Sequence, residues 1–135
     1  MKIDGRCHCG DIAYEAEVEP EAVTICHCTD CQMLSGTTYR ASIATKPGTL
    51  KILRGTPKAY VKIGDSGARR RQTFCANCGT HLFASADEDA PETVNLRAGT
   101  VTQRAAFRPK IQIWTKSALP WFADIPALPG VSGQR

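Results

Sequence analysis

The chain has 135 residues, 42% of them hydrophobic and 22% charged, which is material for one domain with a sizeable core and too little for two ordinary ones. No run of about 18 apolar residues occurs, and Asp4 and Gly5 sit where a secretory signal would be apolar, so a soluble cytoplasmic protein is expected. In that reducing compartment an odd count of seven cysteines points to metal binding or thiol chemistry rather than to disulfides, and the formal charge of +4 counts those thiols as neutral.

In chain order, the first cluster is Cys7-His8-Cys9, followed by a strand in which Ile12, Tyr14, Ala16 and Val18 alternate with polar or small residues. The second is Cys26-His27-Cys28-Thr29-Asp30-Cys31, and Thr29 to Leu34 is predicted to make one short helical turn capped by Thr29 or Asp30. Alternation predicts half-buried strands at Tyr39 to Ile43 and Ala59 to Ile63, with a further strand at Thr49 to Leu53. Arg69-Arg70-Arg71 is the one run of three basic residues. On a strand, Arg69 and Arg71 go to one face and Arg70 to the other, so the expectation is a solvated edge rather than a three-armed anion clamp. Gln72 to Phe74 runs into the third cluster, Cys75-Ala76-Asn77-Cys78-Gly79, where Gly79 supplies the permissive backbone that a metal knuckle needs. Strands are predicted again at His81 to Ala84, Thr93 to Ala98 and Lys110 to Thr115, and Trp114, Trp121 and Phe122 read as core or lid aromatics. The fold class expected is mainly β, a single domain over residues 3–125 with a loose Pro- and Gly-containing tail over 126–135.

The third cluster is the strongest local metal signal, and a tetrahedral structural zinc needs two more ligands, which either other cluster could supply. Counting favours one solution. If Cys7 and Cys9 join Cys75 and Cys78 in a closed site, Cys26, Cys28 and Cys31 remain as a self-contained set of three, which leaves one metal position for water or substrate. The other partition puts one knuckle cysteine with Cys26, Cys28 and Cys31; it splits a C-x-x-C pair, strands three thiols and ranks lower.

Gly5-Arg6-Cys7-His8-Cys9-Gly10, Ile12-Ala13-Tyr14-Glu15, Cys26-His27-Cys28-Thr29-Asp30-Cys31 with Ser35-Gly36, Phe74-Cys75-Ala76-Asn77-Cys78-Gly79-Thr80 and Leu119-Pro120-Trp121 together resemble the glutathione-dependent formaldehyde-activating enzyme family, which also includes centromere protein V. The resemblance implies a zinc-binding β-tent of antiparallel sheets holding two zinc ions. One ion would be structural, on Cys7, Cys9, Cys75 and Cys78, and the second would sit on Cys26, Cys28 and Cys31. It also implies a carbon-sulfur lyase that joins a thiol such as glutathione to formaldehyde or another small aldehyde, giving S-hydroxymethylglutathione.

Three thiolates make zinc a modest Lewis acid and a good holder of a fourth, nucleophilic thiolate, which suits carbon-sulfur bond formation. By adjacency alone, Thr29, Ser35 and His27 are candidates to stabilise an alkoxide, although His27 and His8, each flanked by two ligands, are expected to point away from the metal. One of the three arginines gripping a glutathione carboxylate is the lesser reading of the run, His81 reads as a strand residue, and Gln32 stands where many relatives have a basic residue. The rival class is a non-catalytic zinc module for a protein or nucleic-acid partner. Two filled sites contribute −2 and −1, which brings the formal +4 to +1 and removes most of the basic excess, so neither nucleic acid nor membrane is expected as partner; the oligomeric state stays open.

Overall fold

Pro20 divides the longest strand of the protein and with it the fold. The computed structural model describes residues 1–134. Its strands are β1 (Lys2–Arg6), β2 (Ala13–Cys26), β3 (Arg40–Thr45), β4 (Lys51–Arg54), β5 (Lys58–Ile63), β6 (Arg69–Phe74), β7 (His81–Ala86), β8 (Asn95–Arg97) and β9 (Pro109–Ile113), and helix α1 spans Thr29–Ser35 between β2 and β3. The first half of β2 pairs with β1 and β4, the second half with β3 and β9. The register breaks between Val18 and Val23, where Pro20 has no N–H to give to a ladder. One strand thus serves two sheets. From β3 the second sheet continues through β8, β7 and β6 to β5.

The mainly β expectation holds, with antiparallel pairing throughout except between β2 and β9, which run parallel. The predicted strands are present, most with ends shifted by up to three residues, as where the strand expected over Lys110 to Thr115 is Pro109–Ile113, but the strand read from Ile12 to Val18 runs on past Pro20 to Cys26. A strand the sequence did not announce is β1, whose burial alternates through Ile3 and Gly5 and so offers only one apolar side chain. The arginine run corrects one expectation: β6 lies between β5 and β7 and is not a sheet edge. No helix among the described residues is long and apolar enough to cross a membrane.

Strand alternation assigns the faces. Val23, Ile43, Leu96 and Phe83 stand in successive register across β2, β3, β8 and β7, and all four belong to the core with Ile3, Tyr14, Val18, Leu82, Val94, Val101 and Phe107. Their sequence neighbours therefore face the other side of the sheet, where Cys26 stands opposite Arg40 and Ser42 opposite Arg97.

Gly5 shows how tightly the two sheets close. It pairs with Tyr14, whose buried hydroxyl lies 2.7 Å from Thr100 Oγ1, and a Cβ on Gly5 would come within 2.3 Å of the Tyr14 ring and 2.6 Å of the Thr100 carbonyl oxygen. A backbone carbonyl cannot swing aside as a side-chain tip can. Gly5→Ala is expected to cost about 1–3 kcal/mol and to lower the melting temperature by several degrees in a thermal scan of metal-loaded protein.

Candidate metal centres and the adjoining pocket

The four-sulfur group is built by two turns brought together by the sheets. Cys7 and Cys9 follow β1, and Cys75 and Cys78 follow β6; the sulfurs of all four lie within 4.8 Å of one another. Cys7 and Cys9 Sγ are 3.6 Å apart, and Cys9 and Cys75 Sγ 3.8 Å. Four sulfurs placed ~2.3 Å from a central ion in a tetrahedron would be ~3.8 Å apart, so the donor set fits a metal ion of zinc's size. Gly10 and Gly79 take φ of +85° and +80° in the two turns. The Ile12 N–H donates to Cys7 Sγ (3.2 Å) and the Cys78 N–H to Cys75 Sγ (3.5 Å), an arrangement that favours thiolate. Thr80 links the knuckles, since its hydroxyl accepts the His8 N–H (3.0 Å) and lies 3.2 Å from Cys78 Sγ. That hydroxyl contact leads the causes that pull the Cys78 thiol down to about 5. Cys7 and Cys75 are buried within the hydrophobic core cluster, so this group is continuous with the packing of the domain.

The second group gathers Cys26, Cys28 and Cys31, their sulfurs also within 4.8 Å of one another. Cys26 ends β2 and Cys31 lies in the first turn of α1. The cap corrects the sequence expectation: it is Cys28, not Thr29 or Asp30, with extended backbone and a sulfur that accepts the Cys31 N–H at 3.2 Å. The helix also runs one residue past Leu34, and Gly36 closes it with φ +71°. Burial pushes the Cys31 thiol up to about 12. At Cys28 burial acts the same way, but the Cys31 N–H and the neighbouring sulfurs outweigh it, and its thiol sits below the usual value.

Among the described residues no fourth His, Cys, Asp or Glu ligand atom joins these three. His27 is fully buried and turned away from them: its Nε2 lies 2.8 Å from Gln112 Oε1, and its ring packs at a tilt against Phe122 (4.6 Å between centroids) and edge-on to Tyr39 (5.9 Å). Ser35 is occupied, its hydroxyl donating to the Cys31 carbonyl at 2.6 Å, and Thr29 lines a side recess with Cys28 rather than the main pocket. Gln32 bridges the His27 and Ser117 carbonyls, tying α1 to the segment after β9.

Cys26, Cys28 and Cys31 open into a pocket of about 350 Å³. Its floor is the non-core face of the second sheet: Thr24 and Cys26 from β2, Arg40 and Ser42 from β3, Asn95 and Arg97 from β8, Gln72 and Arg70 from β6. Trp114, at φ +57° and 43% exposed, stands at the rim. Alternation splits the arginine run as expected, with Arg69 and Arg71 on Asp87 (2.9 and 3.0 Å) and Arg70 lining the pocket. The sequence reading missed Arg40 and Arg97. Burial pulls Arg97 down to about 9, with Arg40 acting in the same direction, and it remains a cation at neutral pH.

His81, on β7, belongs to neither cysteine group. Burial, with Arg97 and Arg40 acting in the same direction, holds it down to about 4, against 6.5 for the free side chain. Between those values the unfolded chain binds more protons than the fold, so stability present above 6.5 is lost as the pH falls toward 4. His81→Asn is expected to give a shallower loss than wild type across that window in denaturant titrations.

A family model described as glutathione-dependent formaldehyde-activating enzyme matches residues 2–117. A solved structure of a Rhodobacter sphaeroides protein is similar in fold, with a TM-score of 0.59 at 18% identity, covering 78% of this chain and 97% of that one. A comparison with curated proteins finds no match.

Proposed function

That the chain belongs to the glutathione-dependent formaldehyde-activating enzyme family is the premise from which we propose a zinc-dependent carbon-sulfur lyase that adds a glutathione-like thiol to formaldehyde or another small aldehyde. The observation that carries the reading is the three-cysteine group, with no fourth protein ligand among the described residues, opening into a cationic pocket. Cys7, Cys9, Cys75 and Cys78 would hold one zinc as a closed structural site, and Cys26, Cys28 and Cys31 would hold the second. When bound at the three cysteines, zinc supplies the charge that keeps a fourth, substrate sulfur as thiolate at neutral pH.

The pocket does the positioning. Arg40, Arg70 and Arg97 present positive charge to an anionic thiol, and Trp114 narrows the mouth. In the reaction the substrate sulfur donates a pair to the aldehyde carbon, a carbon-sulfur bond forms, and the carbonyl π pair moves onto oxygen. That oxygen takes a proton from solvent. Among the described residues no Asp or Glu lines the pocket, so the proton is assigned to water rather than to a carboxylic acid.

Metal stoichiometry tests this. Two zinc ions per chain are expected, and in cobalt-substituted protein added glutathione is expected to raise the sulfur-to-metal charge-transfer absorption. One ion per chain, or two with a spectrum that thiols leave unchanged, would count against an open second site.

A further inference from the structure

Among the described residues no carboxylate pairs with either of two arginines beside the three-cysteine group. Arg40 is 7% exposed and Arg97 8%, so each is more than nine-tenths buried. Arg97 gives Nη1 to Ser42 (2.7 Å) and Nη2 to Gln72 (2.9 Å), both neutral, and its Nε is buried without a partner. Nε and Nη1 of Arg40 are buried without partners as well. No Asp or Glu lines the pocket these side chains share, and the nearby Lys62 is already matched by Asp30 at 2.9 Å. Burying a guanidinium with unmade hydrogen bonds is costly, and removing two such groups from water without a counter-charge is more so.

The three thiolates offset part of this. With a divalent ion they sum to −1, while the two guanidinium groups sum to +2 and Arg70 in the same pocket adds a third positive charge, so positive charge is left over for at least one carboxylate. Position agrees with charge. Arg40 stands directly opposite Cys26 on the paired strands, and cross-strand partners have Cβ atoms roughly 4.5–5.5 Å apart, so an anion on Arg40 lies beside a sulfur held at the cysteine group. Formaldehyde carries no charge, so it offers these arginines a hydrogen-bond acceptor but no counter-charge.

We propose that Arg40 and Arg97 form a carboxylate-binding subsite next to the three-cysteine group, and that it selects a reactant carrying a carboxylate close to its reacting sulfur or carbonyl. The subsite is a binding element, separate from the thiol-holding position, and it deepens the lyase reading on which it rests. The carboxylate could belong to the thiol or to the carbonyl compound; the recognition chemistry is the same.

The test uses zinc-loaded protein and three small probes in calorimetric titrations: 2-mercaptoethanol carries a thiol alone, propionate a carboxylate alone, and 3-mercaptopropionate both. In the wild type 3-mercaptopropionate is expected to bind about tenfold or more tighter than 2-mercaptoethanol, the size of one charge-assisted hydrogen-bonded contact. Arg40→Gln is expected to bring that ratio close to one, and Arg40→Lys, which keeps the charge on a single-point donor, to restore part of it. If the carboxylate comes instead from the carbonyl partner, the two thiols bind alike but adduct formation from 2-mercaptoethanol and glyoxylate, followed by NMR, falls further in Arg40→Gln than adduct formation from formaldehyde, lowering the ratio of the two; this outcome also supports the subsite. Two results overturn it: neither the thiol ratio nor the glyoxylate adduct depends on Arg40, or Arg40→Gln loses the second zinc and weakens both thiols equally, which would make the arginine a counter-charge for the metal site. Failure of the lyase reading looks different. In that case 2-mercaptoethanol does not bind at all, while Arg40-dependent binding of propionate persists.

Discussion

Cys75→Ser is expected to leave the chain without a cooperative fold. Cys75 is buried in the hydrophobic core cluster, and its sulfur lies 3.8 Å from Cys9 Sγ, so it joins the turn after β6 to the turn after β1. Those turns belong to different parts of the fold, and apart from the contacts of Thr80 the sulfur group is what fastens them. A structural zinc contributes about 10–16 kcal/mol to folding, whereas a domain of this size has a net stability of only about 5–15 kcal/mol. Losing one of four ligands removes most of that contribution and places a serine hydroxyl in a buried, sulfur-lined position. The expected result is insoluble protein, or soluble protein that gives no sigmoidal transition in a circular-dichroism melt. Wild type stripped with a strong chelator should behave in the same way. A Cys75→Ser protein that melts normally and still carries two ions per chain would refute the structural role.

The parts of this architecture that were legible in the sequence are those encoded locally. Strand alternation at Tyr14, Ala16 and Val18 marks the buried face of β2, and C-x-C and C-x-x-C spacings mark residues that a tight turn can aim at one ion. What was not legible depends on register between distant strands. Arg40 is an ordinary arginine in sequence; it becomes a pocket residue because β3 pairs with β2 so that residue 40 faces residue 26. Arg97 reaches Ser42 and Gln72 only through the β3–β8–β7–β6 order, which no local pattern specifies. The cap of α1 was misassigned for a different reason. Thr29 and Asp30 are better caps by residue type, but Cys28 already has the extended backbone and a sulfur facing the helix N–H groups, so its position as a candidate metal ligand overrides propensity. Proximity along the chain was also a poor guide to the pocket, because Ser35 and His27 adjoin the cysteines in sequence and are engaged elsewhere.

That double role of Cys28 makes its substitutions informative. Its sulfur accepts the Cys31 N–H at 3.2 Å and belongs to the three-sulfur group, so Cys28→Ala removes a cap and a metal ligand together, while Cys28→Ser keeps an oxygen that can still accept the same N–H. A neutral hydroxyl is a poor replacement for a thiolate on zinc, so both variants are expected to fall from two zinc ions per chain to one and to lose the zinc-dependent rise in S-hydroxymethylglutathione formation over the spontaneous rate. Their stabilities should separate. Cys28→Ala is expected to be about 1 kcal/mol less stable than Cys28→Ser in denaturant titrations, the usual cost of losing an N-cap acceptor, because the core and the four-sulfur group lie outside α1. Folded protein with one ion and only background activity in both variants would separate the second site from the scaffold. Unchanged activity in either variant would remove Cys28 from the reaction, and equal stability of the two would remove its sulfur from the cap.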